Sequence, residues 1–118
     1  VRLASLFKED GVWKRQGKIL VGHEQIINAL SKRSNTLRIR HVISNTFLSS
    51  YESDEIELIS YMTAYRFDDG SNQEGIVSIN GPFLLSVVHA RLERNNDVWQ
   101  IAHLDLMPQF EFVAELQV

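Results

Sequence analysis

The chain contains no cysteine. That excludes a disulfide framework, a thiolate metal site and a cysteine nucleophile. Two prolines and six glycines are spread over 118 residues, so no linker divides the chain, and its length suits one domain with its own core. No apolar run approaches the roughly 18 residues that cross a membrane. No signal-peptide pattern is present either, and a cytoplasmic protein is the default expectation. Positive charge is not in excess: twelve Lys and Arg against fifteen Asp and Glu leave a net charge of −3. A general nucleic-acid binder usually carries a basic stripe, whereas the one basic cluster here, "KRSNTLRIR" (Lys32 to Arg40), reads as a solvated loop edge. Gly-rich phosphate loops, G-x-S-x-G and H-E-x-x-H are all missing.

What is present has the ordinary balance of a globular domain, 44% hydrophobic and 23% charged. Leu3, Leu6 and Phe7 share a helical face, and "KEDG" (Lys8 to Gly11) ends that helix, with Gly11 fit for a left-handed C′ position. "VWK", "RQG" and "KILVG" predict two short strands around a turn containing Gly17. "GHEQIINALSKRSN" is the strongest helix, with Ile26, Ile27 and Leu30 as its apolar stripe. From Leu37 the pattern turns to β, with strands predicted over 37–49, 55–67, 83–94 and 98–107. "DDGSNQEG" separates the second and third of these, followed by "IVSI" and the Asn80-Gly81-Pro82 turn; a three-residue loop, Asn95 to Asp97, joins the last two. The tail alternates again from Phe110. Helices first and a long antiparallel sheet after give an α+β class, with the helices gathered on one side. A strongly curved sheet would wrap them and leave a cavity.

The stretch "TLRIRHVISNTF" (Thr36 to Phe47) carries the sharpest candidate. Alternation places Arg38, Arg40, Val42, Ser44 and Thr46 on one face and Ile39, His41, Ile43, Asn45 and Phe47 on the other. The second face is the more apolar and is expected to look inward, yet it holds a titratable ring and an amide. A neutral imidazole both takes and gives a proton near pH 7, and burial favours its base form. A core histidine satisfied by a neighbour is the plainer alternative. Asn45, about 13 Å further along at strand rise, is placed to bond a carbonyl or hydroxyl, or else to satisfy buried backbone groups.

"LFKEDGVW", "GHEQIINAL", "RHVISN", "SYMTAYRF" and "ARLERNNDVWQIAH" occur in an order and spacing that resemble the SnoaL-like branch of the nuclear-transport-factor-2-like superfamily, over nearly the whole chain. The resemblance implies a cystatin-like α+β cone: short helices packed into a curved, mostly antiparallel sheet, an apolar pocket at the open end, and frequent dimerisation. Residues 1–118 are expected to form one such domain, lacking the family's longer first helix, since the chain starts at Val1 without Met. His41 resembles the pocket-facing strand histidine of scytalone dehydratase. Asp10 resembles a recurrent acidic residue of the family, in some members of which carboxylates near the pocket act as bases, although at a turn such a residue is more often a local acceptor.

The expected function is binding of a small apolar molecule, with cofactor-free lyase or isomerase chemistry if the protein is an enzyme: proton abstraction beside a carbonyl, or water elimination. His41 would be the acid/base with Asp10 or a tyrosine assisting. Trp13, Ile43, Asn45, Phe47, Tyr61 or Tyr65, and Met107 would bind the ligand. Periodicity does not say which face of the Tyr61–Tyr65 strand looks inward. The alternative is a non-catalytic carrier or an oligomerisation module, and a homodimer through the sheet is the expected assembly. No cofactor, metal, nucleic acid or membrane partner is expected. His89 and His103 would face each other across their hairpin if its loop has three residues, and two histidines without a third ligand make a poor zinc site. His23, at a helix start, is expected at the surface.

Overall fold

Six strands form one sheet in the order β2-β1-β6-β5-β4-β3. The structure is a computed structural model and describes residues 2–113. The elements are α1 (Arg2–Ser5), β1 (Phe7–Arg15), β2 (Lys18–Val21), α2 (Gly22–Ser31), β3 (Arg38–Glu52), β4 (Glu55–Phe67), β5 (Leu84–Asn95) and β6 (Val98–Glu111). Every neighbouring pair is antiparallel except β1 and β6, which run parallel. This is the α+β cone with its helices on one side of the sheet. "IVSI" is not a strand, and residues 114–118 of the alternating tail lie outside the described residues.

The amino-terminal segment differs from the sequence expectation. The helix stops at Ser5 and the chain enters β1 at Phe7, so "KEDG" is strand and not a helix stop. Gly11 is a close-approach glycine: a Cβ there would stand 3.0 Å from the Ile101 carbonyl oxygen and 3.1 Å from the Phe7 Cβ. The β1–β6 register slips between Phe7 and Val12, and Phe7 and Trp13, an even number of residues apart on β1, both face the core. Gln16 and Gly17, at φ 48° and 75°, make the two-residue turn into β2, the mirror-image geometry that suits strand twist.

Helix α2 is tied down at its start from two sides. The Val21 N–H donates to Gln25 Oε1 at 2.8 Å, and His23 Nε2–H donates to the Phe7 carbonyl oxygen at 2.7 Å. His23 is therefore half-buried and fastens α2 to β1, in contrast to its expected surface position. The core lies at this end of the molecule: Ala4, Phe7, Trp13 and Ile26 are buried together, with Leu3, Leu20, Leu30, Ile101, Leu104 and Leu106 packed around them. The Phe7 and Trp13 rings lie 5.8 Å apart. Among the described residues, α2 touches only α1, β1 and β2, which leaves the concave face of β3, β4 and β5 without a helix over it. The radius of gyration, 16.3 Å, exceeds the roughly 13 Å of a compact chain near this size, because the molecule is elongated, 55 Å by 28 Å by 28 Å.

Candidate functional site

The uncovered concave face carries a cavity of about 410 Å³. Its floor comes from alternate residues of three paired strands. Ile43, Met62 and Ser86 form one row across β3, β4 and β5, and His41, Ala64 and Leu84 form the next. Trp13 and Leu104, paired between β1 and β6, line the far side with Leu106. Ala64 is buried, and its small side chain leaves open space between His41 and Leu84.

Polar groups are few and grouped. His41 borders the cavity from β3, an edge strand, and makes no hydrogen bond to another described residue. Partial withdrawal from water lowers its pKa from the ordinary 6.5, and the Arg33 and Arg15 guanidinium groups push it the same way. The neutral imidazole is thus the dominant form at neutral pH. Arg15 lies with its guanidinium 4.7 Å from the centre of the Trp13 ring, a cation–π contact. Burial, and then Arg33, lower the Arg15 pKa. Ser86 is buried in the floor. The Trp13 Nε1–H is buried with no hydrogen-bond partner among the described residues, an arrangement that costs about 1–3 kcal/mol. Among the described residues no Asp or Glu lines the cavity.

Of the residues singled out from the sequence, His41, Trp13 and Ile43 meet here and the others do not. Asp10 points into solvent from β1, its side chain 82% exposed and its carboxylate 3.8 Å from Lys8 Nζ. Asn45 and Phe47 leave the His41 face because β3 contains a bulge. Ser44 pairs with Tyr61 but Phe47 pairs with Ile59, so one extra residue is inserted and alternation reverses. Asn45 takes the left-handed conformation at this point, φ 53°, which asparagine tolerates better than most residues. Phe47 consequently sits beside Ile59 on the outer face, where Asn45, Phe47, Tyr61 and Val87 border a shallow depression. Met62 and Ala64 line the cavity, so Tyr61 and Tyr65 are on the outer face too. Met107 pairs with Val87 and faces outward, while its neighbour Leu106 faces in.

The histidine pair is also displaced. The β5–β6 turn has two residues, Asn96 and Asp97, both at positive φ (51° and 62°), and a further irregularity lies between Arg91 and Leu92. His89 therefore stands opposite Asp105, and His103 opposite Arg91, on the outer face. Among the described residues no group of three His, Asp or Glu side chains is placed to hold a metal ion. The residues that sequence reasoning missed are Arg15, Arg33 and Ser86. Arg33 belongs to the basic cluster read as a solvated edge, and that cluster divides. Arg38 donates to the Gly75 carbonyl oxygen at 2.7 Å and to that of Gln73, pinning the 68–75 loop, whereas Arg33 turns to the cavity.

Residues 2–105 match the SnoaL-like domain family. The chain belongs to that family. This SnoaL-like domain also shares its fold with solved structures of the nuclear-transport-factor-2-like superfamily. A type 2 hexachlorocyclohexane dehydrochlorinase (LinA) superposes with a TM-score of 0.77 at 19% identity, covering 99% of this chain and 77% of that one. A putative scytalone dehydratase from Novosphingobium aromaticivorans gives 0.76 at 17% identity, covering 98% and 74%. ActVI-ORFA from Streptomyces coelicolor gives 0.69 at 18% identity, covering 89% and 78%. Comparison with curated proteins by sequence returns no match. At such identities the likeness speaks for the fold alone. Among the described residues of the SnoaL-like domain, no helix is long and apolar enough to cross a membrane.

Proposed function

We propose that the domain binds a small, largely apolar molecule in the concave cavity and that His41 acts on it as a cofactor-free base. One observation carries this reading: an imidazole held in its neutral form borders an apolar space of about 410 Å³ with no hydrogen-bond partner among the described residues. A neutral imidazole in that position removes a proton from carbon beside a carbonyl, the first step of an isomerisation, a cyclisation or a water elimination. The Arg15 and Arg33 guanidinium groups on the cavity wall are the donors available to a ligand oxygen, whereas Trp13 Nε1 and Ser86 are closed off by burial. The activities for which these neighbours are named, dehydrochlorination and scytalone dehydration, are eliminations, and they agree with a proton-abstracting site. Asp10 stands outside this proposal because its carboxylate is in solvent.

Apolar ketones screened by thermal shift identify a ligand, and NMR in deuterated water then follows exchange of the proton beside its carbonyl. The wild-type protein is expected to catalyse that exchange, and His41→Gln to slow it about 100-fold or more. A ligand that binds without exchange in either protein refutes catalysis and leaves a carrier. Equal protection of wild type and His41→Ala would show that His41 does not read the ligand.

The outer face favours a second role in assembly. Val42, Phe47 and Tyr61 are exposed there, beside Ile59, Leu85, Val87 and Met107 on the paired strands. We propose that a second copy covers this apolar band, giving a homodimer through the sheet. Sedimentation of wild type against Phe47→Ser is the test: a monomeric wild type refutes it.

A further inference from the structure

Charge around the cavity is distributed against the protein's net balance. The chain as a whole carries −3, yet among the described residues the cavity wall holds Arg15 and Arg33 and no carboxylate. A shallower groove between the β1–β2 turn and α2 shares Arg15 and Gln16 with the cavity and adds Lys18 and Lys32, again with no Asp or Glu among the described residues. Ion pairs among the described residues use Lys8, Arg91 and Arg94. Arg15 and Arg33 take part in none of them and make no side-chain hydrogen bond to another described residue. Arg15 is half-buried and braced against the Trp13 ring, which orients the guanidinium and leaves its N–H fork unused. Two guanidinium groups near enough to influence each other and His41 are mutually unfavourable unless an anion joins them.

From this arrangement we infer that the cavity's ligand is an apolar carboxylic acid, bound as its anion with the carboxylate between Arg15 and Arg33 and the apolar body over Met62, Ala64 and Leu84. The inference rests on the proposed ligand role of the cavity and narrows it to a chemical class. Guanidinium matches a carboxylate in plane and in donor spacing. The bound anion would also sit near His41 and reverse the effect of the two cations on it. A carboxylate at the rim fixes which end of the molecule enters, so the carbon chain runs down the His41–Ala64–Leu84 row.

The full chain carries two tryptophans, so Trp99→Phe leaves Trp13, on the cavity wall, as its sole indole reporter. Titrating this variant with 1-naphthoate and with 1-naphthamide compares an acid with a neutral molecule of the same shape. Naphthoate is expected to quench Trp13 with about 10- to 100-fold higher affinity than the amide. Arg15→Met and Arg33→Met, each in that background, are expected to abolish the preference while leaving amide binding within about 3-fold. The acid's affinity is also expected to fall with added salt, and the amide's to stay constant. Equal binding of acid and amide overturns the carboxylate assignment but keeps the cavity as a ligand site. Binding of neither overturns both. Retention of the preference in both Met variants, with circular dichroism unchanged, moves the anion away from these arginines and also overturns the inference.

Discussion

The two ends of the concave side are built on opposite terms. Where α1 and α2 lie over β1, Phe7 and Ile26 are completely buried and Ala4 and Trp13 nearly so. Across β3, β4 and β5 the same sheet holds open space, with Ile43 54% exposed on the edge strand. Trp13 belongs to both, as core on one side and cavity wall on the other. Under the proposed function the difference separates stability from chemistry: one end holds the fold, and the other is left open for a guest. An apolar floor left uncovered is a cost that a bound apolar ligand offsets by covering it.

That division is open to attack. The largest effect is expected in the filled end, where Phe7→Ala costs about 3–5 kcal/mol by emptying a packed site, read as a lowered urea midpoint. The open end should tolerate the reverse change. Ala64→Phe adds a ring into existing space, so it is expected to hold the midpoint within about 1.5 kcal/mol while lowering ligand affinity about 100-fold or more. A large loss of stability there would show that the space is needed as core. His41→Gln is expected to change the midpoint at pH 7 by less than about 0.5 kcal/mol, like other exposed positions.

The smallest effect is a matter of pH. Because burial and the two arginines hold the folded-state pKa of His41 below 6.5, the proton prefers the unfolded chain. The contribution of the neutral ring is complete above the unfolded value and is lost as pH falls towards the lower folded value. Wild type is therefore expected to lose a little more stability than His41→Gln between pH 7 and pH 5. Parallel melting curves across that range would contradict the shift.

Much of this architecture was legible before any coordinates. Strand β4 has the limits its pattern predicts, because long segments with one period leave few alternatives, whereas of the α2 stripe Ile26 and Leu30 face the core and Ile27 is exposed. The sheet's phase was harder. Alternation placed His41 and Ile43 on one face, and the bulge then carried Phe47 to the other. The available hint was Asn45 itself, since an asparagine inside a long strand is a common host for a left-handed residue. The pairing of β1 with β6 was hidden because a parallel contact between the two ends of a chain has no local signature. Arg15 and Arg33 were invisible as a pair for the same reason: only tertiary structure brings a hairpin turn near the end of α2.

The bulge at Asn45 has a consequence for any comparison of this strand with others. It works as a reading-frame marker for sidedness. A relative with one residue fewer between Ser44 and Phe47 would keep almost the same letters yet present the downstream segment inside out, its aromatic ring moved from the outer face to the concave cavity. A single codon lost or gained there would trade a contact on the face proposed to dimerise for one in the cavity proposed to bind, while leaving His41 in place.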